Sequence, residues 1–167
     1  MVVRFRNRRG WHSAIALIGA LVLAGACTPG DESPGPADLT DFATRYAAAW
    51  SSQDPGRLAS FYADDGSLVV NGAASEGRDA IRTTAGEFMA AFPDMRVTMD
   101  SVVGDGDGRA VFHWTWTGTN TGPGGTGRAV DLTGYEEWTF GPDGLIAVSD
   151  GHYDQAEFEL QMSAELP

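Results

Sequence analysis

The spacing of apolar residues changes once along this chain, and that change limits the folds open to it. Between Leu39 and Phe92, apolar residues recur at three- and four-residue intervals, which is typical of amphipathic helices. From Met95 onward, apolar and polar residues alternate, and glycine-rich turns separate the alternating segments. The pattern predicts helices first and antiparallel strands afterwards, which is an α+β domain with helices on one face of a sheet.

Capping and turn residues set the predicted boundaries. We expect a first helix to about Ser52, a short second helix beginning at Asp54-Pro55 and ending before the DDG segment at 64–66, and a third helix over 76–91. A brief strand over 67–71 lies between the second and third helices. The later strands are predicted over 95–103, 109–120, 128–140 and 145–154, with a closing helix over 155–162.

The N-terminal segment has the features of an export signal. Four arginines in the first nine positions precede an apolar run over 14–26, and Cys27 follows small residues. The 13-residue run would reach roughly 20 Å as a helix, which is shorter than the roughly 30 Å hydrocarbon core of a membrane. We therefore expect residues 1–26 to be a cleaved signal peptide.

The segment LAGAC, which ends at Cys27, resembles a bacterial lipobox. This resemblance implies a lipid on Cys27; the alternative is an ordinary secretory signal in which Cys27 is incidental. The pair Arg8-Arg9 resembles a twin-arginine signal, so both export routes stay open. Residues 27–37 are rich in proline and form a flexible tether. The folded domain is then 38–167, either anchored at the outer face of the cytoplasmic membrane or secreted.

Charge and composition exclude several partners. The chain has 23 acidic and 11 basic residues, a net charge of −12, and one cysteine. Such a surface cannot neutralise phosphates, so we expect no nucleic-acid partner and membrane contact only through an N-terminal lipid. One cysteine permits no internal disulfide. The sequence has no HxH or HExxH pattern, and we expect no metal and no cofactor.

From about Leu39 to Met162 the chain resembles the SnoaL-like branch of the NTF2-like superfamily, which includes polyketide cyclases, ketosteroid isomerase and limonene epoxide hydrolase. The resemblance is carried by FYADD at 61–65, GRDAI at 77–81, AFPD at 91–94, TGTNTG at 117–122 and GLI at 144–146. It implies an NTF2-like cone, in which three helices pack on the concave face of a curved, mostly antiparallel sheet, and it implies a homodimer. The family's cyclases use an aspartate near the end of the last strand as acid/base, and the matching residue is Asp154.

The last predicted strand carries the candidate catalytic residues. Alternation puts Asp150, His152 and Asp154 on one face with two aliphatic residues, which indicates the inner face. An apolar environment raises the pKa of a carboxylate, so that it can exchange a proton with a carbon acid near neutral pH. We expect Asp154 to be the general acid or base, tuned by His152 or Asp150. The alternatives are that Asp154 caps the closing helix and that Gly151 marks a bulge that shifts the alternation.

Large aromatic residues are more numerous than the core of so small a domain requires, and they predict an apolar ligand pocket. The expected ligand-binding residues are Tyr46, Trp50, Tyr62, Phe88, Phe92, His113 and Trp138. The alternative is a plain aromatic core, in which His113 forms a hydrogen bond inside the core.

Together these features predict an exported pocket protein that binds a small hydrophobic molecule, with cyclase- or isomerase-type acid/base catalysis by Asp154. The alternative is a non-catalytic ligand-binding or dimerisation module of an envelope lipoprotein. Export favours this alternative, because biosynthetic cyclases act on intermediates made inside the cell.

Overall fold

The computed structural model describes Gly35, Pro36 and residues 38–163. The elements, in chain order, are α1 (Leu39–Trp50), α2 (Pro55–Ala59), β1 (Tyr62–Val70), β2 (Ala73–Glu76), α3 (Arg78–Ala91), β3 (Arg96–Gly104), β4 (Arg109–Thr119), β5 (Ala129–Phe140), β6 (Ile146–Tyr153) and α4 (Gln155–Ser163). The predicted signal peptide and Cys27 lie outside the described residues. Within the described part of the chain, no helix has the length and apolar character needed to cross a membrane.

The six strands form one mixed sheet in the order β2-β1-β6-β5-β4-β3. Neighbouring strands are antiparallel except β1 and β6, which pair in parallel. The predicted α+β class and the mostly antiparallel sheet are confirmed.

Helix starts follow the local chemistry of the sequence. The side chain of Asp38 accepts a hydrogen bond of 2.9 Å from the backbone N–H of Asp41 and caps α1. Asp54 caps α2 in the same way, with Pro55 in the first helical turn. A short polar side chain at this position satisfies a backbone donor that has no partner within the helix.

The segment around residues 62–76 differs from the prediction. Strand β1 begins at Tyr62, five residues before the predicted start of this strand. It includes the DDG segment, and its register against β6 shifts between Tyr62 and Ser67. The chain then turns at Asn71 and Gly72, both with positive φ, into the unpredicted strand β2. Asn-Gly is a strong hairpin signal, because both residues tolerate this backbone conformation.

Helices α1, α2 and α3 cover one face of the sheet, called here the inner face, and the core between them is aromatic. Phe42 and Tyr46 of α1 meet Trp138 of β5 edge to face, with ring centroids 5.7 and 5.0 Å apart. Phe112 of β4 stacks on the same indole at 4.7 Å. The opposite, outer face is not covered by any of these three helices.

Candidate functional site

An apolar cavity of about 60 Å³ lies between the helices and the inner face of the sheet. This volume is several times the space that one water molecule needs, and the cavity is partly open to solvent, so a ligand can extend beyond its enclosed part. Apolar and aromatic side chains dominate its wall, and Glu136 supplies the single carboxylate among the described lining residues. The lining residues are Trp50, Leu68, Val70, Phe88, Met95, Val97, Trp114, Trp116, Glu136, Gly151 and Tyr153.

The carboxylate is Glu136 of β5, and its side chain is bound by three donors. Its Oε2 atom accepts hydrogen bonds from the Tyr46 hydroxyl at 2.8 Å, the Trp138 Nε1 at 2.9 Å and the Ser149 hydroxyl at 2.6 Å. The Tyr62 hydroxyl lies 2.7 Å from that of Tyr46. Because Tyr46 uses its only proton on Glu136, Tyr62 is the donor of that fourth bond.

Burial controls the charge of this network. Glu136 is only 6% exposed, and burial raises the pKa of its carboxyl, while the hydrogen bonds from Ser149, Trp138 and Tyr46 lower it and leave a net rise. Burial and the nearby Glu136 raise the pKa of Tyr46 and Tyr62 well above 10.0. The two phenols therefore stay protonated, and Glu136 is the group that titrates in this network.

The two oxygens of Glu136 have different surroundings. All three hydrogen bonds go to Oε2, whereas Oε1 accepts none from the described residues. A proton on Glu136 is therefore best held at Oε1, because Oε2 is occupied as an acceptor. Oε1 can donate to a ligand in the cavity when protonated and can accept a proton when ionised.

The expected inward orientation of Asp150 and His152 is wrong. Thr139 pairs with Val148 and Phe140 pairs with Ile146, so Ala147 is the extra residue of a β-bulge. After the bulge the alternation is reversed: Ser149 and Gly151 face the core, and Asp150 and His152 lie on the outer face. The bulge lies before Val148 and not at Gly151, which is the position that the alternative prediction from the sequence gave for it.

Asp154 is exposed and lies at the start of α4, outside the cavity. Its carboxylate accepts a hydrogen bond of 3.0 Å from the backbone N–H of Glu157, and its carbonyl accepts one from that of Phe158. This is the geometry of a helix N-cap. The position of Asp154 thus gives no support to the acid/base role expected of it.

His113 also lies on the outer face, not among the cavity residues, because it alternates with the buried Phe112 and Trp114 on β4. Its ring, that of Tyr135 and that of His152 form a row across three strands, with centroids 5.9 and 4.9 Å apart. The predicted residues His113, His152 and Asp154 do come together, but around an open groove on this outer face.

One cluster on the outer face has the side chains to ligate a metal. Ligand atoms of Glu137, Asp150 and His152 lie within 4.8 Å of one another, because Glu137 is directly opposite Asp150 and His152 is two residues further along β6. His152 Nε2 is 3.3 Å from Asp150 Oδ1 and forms an ion pair with it when the imidazole is protonated.

The predicted ligand-binding aromatic residues have three different positions. Trp50 and Phe88 line the cavity. Tyr46, Tyr62 and Trp138 are buried behind Glu136 and form its hydrogen-bond network. Phe92 is buried against the Trp116 ring, with centroids 5.0 Å apart, and does not line the cavity.

Glu136 is not among the site residues predicted from the sequence, although the sequence holds a signal for it. On β5 the buried residues Val130, Leu132, Trp138 and Phe140 occupy alternate positions, and Glu136 shares their phase. A carboxylate in phase with buried apolar residues must be paired or functional, because its burial is costly. Trp114 and Trp116 are likewise lining residues outside the predicted set.

Comparisons with known proteins agree with this architecture. The model of the SnoaL-like domain matches residues 43–149. Among curated proteins, none matches this chain in sequence.

Several solved structures share the fold at low identity. A protein of ketosteroid isomerase-like fold from Catenulispora acidiphila, in complex with trimethylamine, is 19% identical with a TM-score of 0.67, over 79% of this chain and 96% of that one. A SnoaL-like polyketide cyclase, so described, from Jannaschia sp. is 20% identical with a TM-score of 0.67, over 76% and 92%. TerC, co-crystallised with polyporic acid, is 16% identical with a TM-score of 0.62, over 75% and 98%. Since the family model covers more than half of its length, this chain belongs to the SnoaL-like domain family.

Proposed function

We propose that this protein binds a small hydrophobic, carbonyl-bearing molecule in the inner cavity and that Glu136 is its general acid/base. The observation that carries the proposal is a buried carboxylate in the wall of an apolar cavity. One of its oxygens is bound by three donors, and the other accepts no hydrogen bond from the described part of the chain. Apolar pockets with a few fixed polar groups are typical small-molecule sites.

The chemistry open to Glu136 is proton transfer at carbon. Ionised Oε1 removes a proton from the carbon next to the ligand carbonyl; the C–H electron pair forms a C=C bond, and the carbonyl π electrons move to oxygen. Delivery of this proton to another carbon completes an isomerisation. If the proton on Oε1 is first replaced by one from the solvent, delivery to the original carbon completes an exchange. A pKa raised by burial makes the carboxylate a stronger base than one in water. The small ligands of two related folds, trimethylamine and polyporic acid, agree with a ligand site in this family.

Deuterium exchange tests this proposal directly. Cyclopentanone in D₂O loses the NMR signal of its α-protons when a base enolises it. We expect the wild type to accelerate this loss and Glu136→Gln to abolish at least about 99% of the acceleration, because general acid/base catalysis contributes roughly 100-fold or more. Glu137→Gln is the matched control, since Glu137 is the next residue and is exposed on the outer face.

Two outcomes would reject the acid/base role. If Glu136→Gln exchanges the α-protons as fast as the wild type, another group is the base. If cyclopentanone binds but the wild type does not accelerate exchange, the protein is a non-catalytic binder, which is the alternative predicted from the sequence.

Export and lipidation are a separate proposal that rests only on residues 1–37. We expect Cys27 to carry a lipid and the domain to fractionate with membranes. Labelling with a radioactive fatty acid, compared between wild type and Cys27→Ser, tests this. Equal labelling of both proteins would reject lipidation at Cys27.

A homodimer through the outer face is the second candidate property. Tyr135 and Val148 are exposed there by 38% and 41%, and exposed apolar side chains on a sheet face favour a partner surface. Light scattering of wild type and Val148→Asp tests the dimer; a monomeric wild type would reject it.

A further inference from the structure

Two residues that line the cavity carry buried hydrogen-bond donors without a partner among the described residues. The Nε1 atoms of Trp114 and Trp116 form no hydrogen bond with any described residue, and the two residues are only 8% and 4% exposed. Buried N–H groups are nearly always paired, because an unpaired one loses its hydration and gains nothing in return. These two donors therefore need an explanation.

Both indoles belong to the same cavity. They lie two residues apart on β4, so both face inward, and both line the cavity together with Glu136. Their neighbours hold them in place: the Trp114 ring lies over Gly134, and Phe88, Phe92 and Phe158 surround Trp116, with centroids 5.9, 5.0 and 6.0 Å away. Each Nε1 atom has less than 1 Å² of accessible surface, so an acceptor reaches it only when these neighbouring side chains shift.

The charges of the wall select among ligand classes. No arginine, lysine or histidine is among the residues lining the cavity in the described chain, so an anionic ligand would meet only the carboxylate of Glu136. A cationic ligand would find aromatic faces and Glu136 but would leave both indole N–H groups without an acceptor. A neutral ligand with an acceptor oxygen satisfies the donors at no electrostatic cost.

We propose that the Nε1–H groups of Trp114 and Trp116 bind the acceptor oxygen of a neutral ligand, of the carbonyl class, and so determine which apolar molecules the cavity accepts. The inference rests on the proposed function, because it concerns the same cavity. It adds the polar feature that the ligand must carry and the residues that recognise it.

A matched pair of ligands separates this inference from the proposed function. Cyclopentanone and methylenecyclopentane have the same shape and differ in an acceptor oxygen against a CH₂ group. We expect the wild type to bind cyclopentanone about tenfold more tightly, the ratio that one buried hydrogen bond provides. In ¹H–¹⁵N spectra, two indole signals, assigned by their loss in Trp114→Phe and Trp116→Phe, should move downfield with the ketone and not with the alkene.

The variants complete the test. Trp114→Phe and Trp116→Phe keep an aromatic ring and remove the N–H group, so we expect each to bring the two affinities within about threefold of each other. Tyr135→Phe, on the outer face, should leave the ratio unchanged.

Each of the other possible results would reject one part of the proposal. Equal affinities for the two ligands in the wild type, or a tenfold ratio that survives in both tryptophan variants, would reject recognition by the indoles while leaving ligand binding intact. Tighter binding of trimethylammonium than of cyclopentanone would reject the neutral class. Binding of neither ring compound would reject the proposed function, and this inference with it.

Discussion

The hydroxyl of Tyr46 on α1 donates a hydrogen bond of 2.8 Å to Oε2 of Glu136 on β5. This bond joins the helical layer to the sheet inside an aromatic core, directly behind the cavity. It restrains the carboxylate through Oε2 and leaves Oε1 for a ligand. The same contact thus serves both stability and the proposed chemistry.

Loss of the Tyr46 hydroxyl should change both the free energy of unfolding and the pKa of Glu136. Tyr46→Phe removes a bond to a buried carboxylate and leaves Tyr62 without its acceptor, so we expect a loss of about 1.5–3 kcal/mol in the free energy of unfolding. The pKa of Glu136 should rise further, because a donor to its ionised form is gone. Urea unfolding and a ¹³C NMR titration measure these effects. Tyr135→Phe, with an exposed side chain, should change neither; similar losses in both variants would contradict the network.

The raised pKa of Glu136 should make stability depend on pH. The folded state holds this proton more tightly than the unfolded chain, whose glutamate titrates near its ordinary value of 4.5. The stabilisation is therefore fully present below that value and is lost as pH rises through the folded pKa.

Glu136→Gln removes this titration while keeping the side-chain shape. The unfolding free energy of the wild type minus that of the variant should fall with rising pH, by about 1.4 kcal/mol for each tenfold difference in proton affinity between the two states. Urea unfolding of both proteins from about pH 4 to about pH 8 measures it. A difference that stays constant over this pH range would show that folding does not change the pKa of Glu136.

Substitution by alanine at two glycines should change the free energy of unfolding in opposite directions. In Gly134→Ala the new methyl group would collide with the Trp114 ring and the His152 carbonyl, and we expect a loss of about 2–3 kcal/mol from overpacking. In Gly86→Ala, within α3, the methyl group would meet the Pro55 side chain at 3.7 Å, and we expect a gain of about 0.5–1 kcal/mol. Thermal unfolding compares them; equal effects would mean that Trp114 has room to move.

Asp154 should act as a helix cap. We expect Asp154→Ala to cost about 1 kcal/mol in unfolding free energy and Asp154→Asn only a few tenths, because asparagine also accepts a hydrogen bond at this position. Both variants should bind cyclopentanone like the wild type. Loss of proton exchange in a stably folded Asp154→Asn would instead restore the acid/base role first expected of this residue.

Local chemistry in the sequence determined most of the elements. Asp38, Asp54 and the alternation that begins near Met95 fix where helices start and where strands run, since capping and side-chain periodicity depend only on neighbouring residues. The signal for Glu136 was also local, as a carboxylate in phase with buried residues of β5. This signal lies in the shared phase of one charged position and the buried apolar positions around it.

Pairing between distant strands decided the rest. The extra residue Ala147 arises where β6 adjusts its register to β5, and that one bulge turns Asp150 and His152 outward and Ser149 inward toward Glu136. A shift of one residue exchanges the two faces of a strand, and its position depends on partners far along the chain. The sequence alone therefore determined the elements, their apolar faces and the inward phase of Glu136. Only the tertiary structure decided that Asp150 and His152 of β6 face away from the cavity.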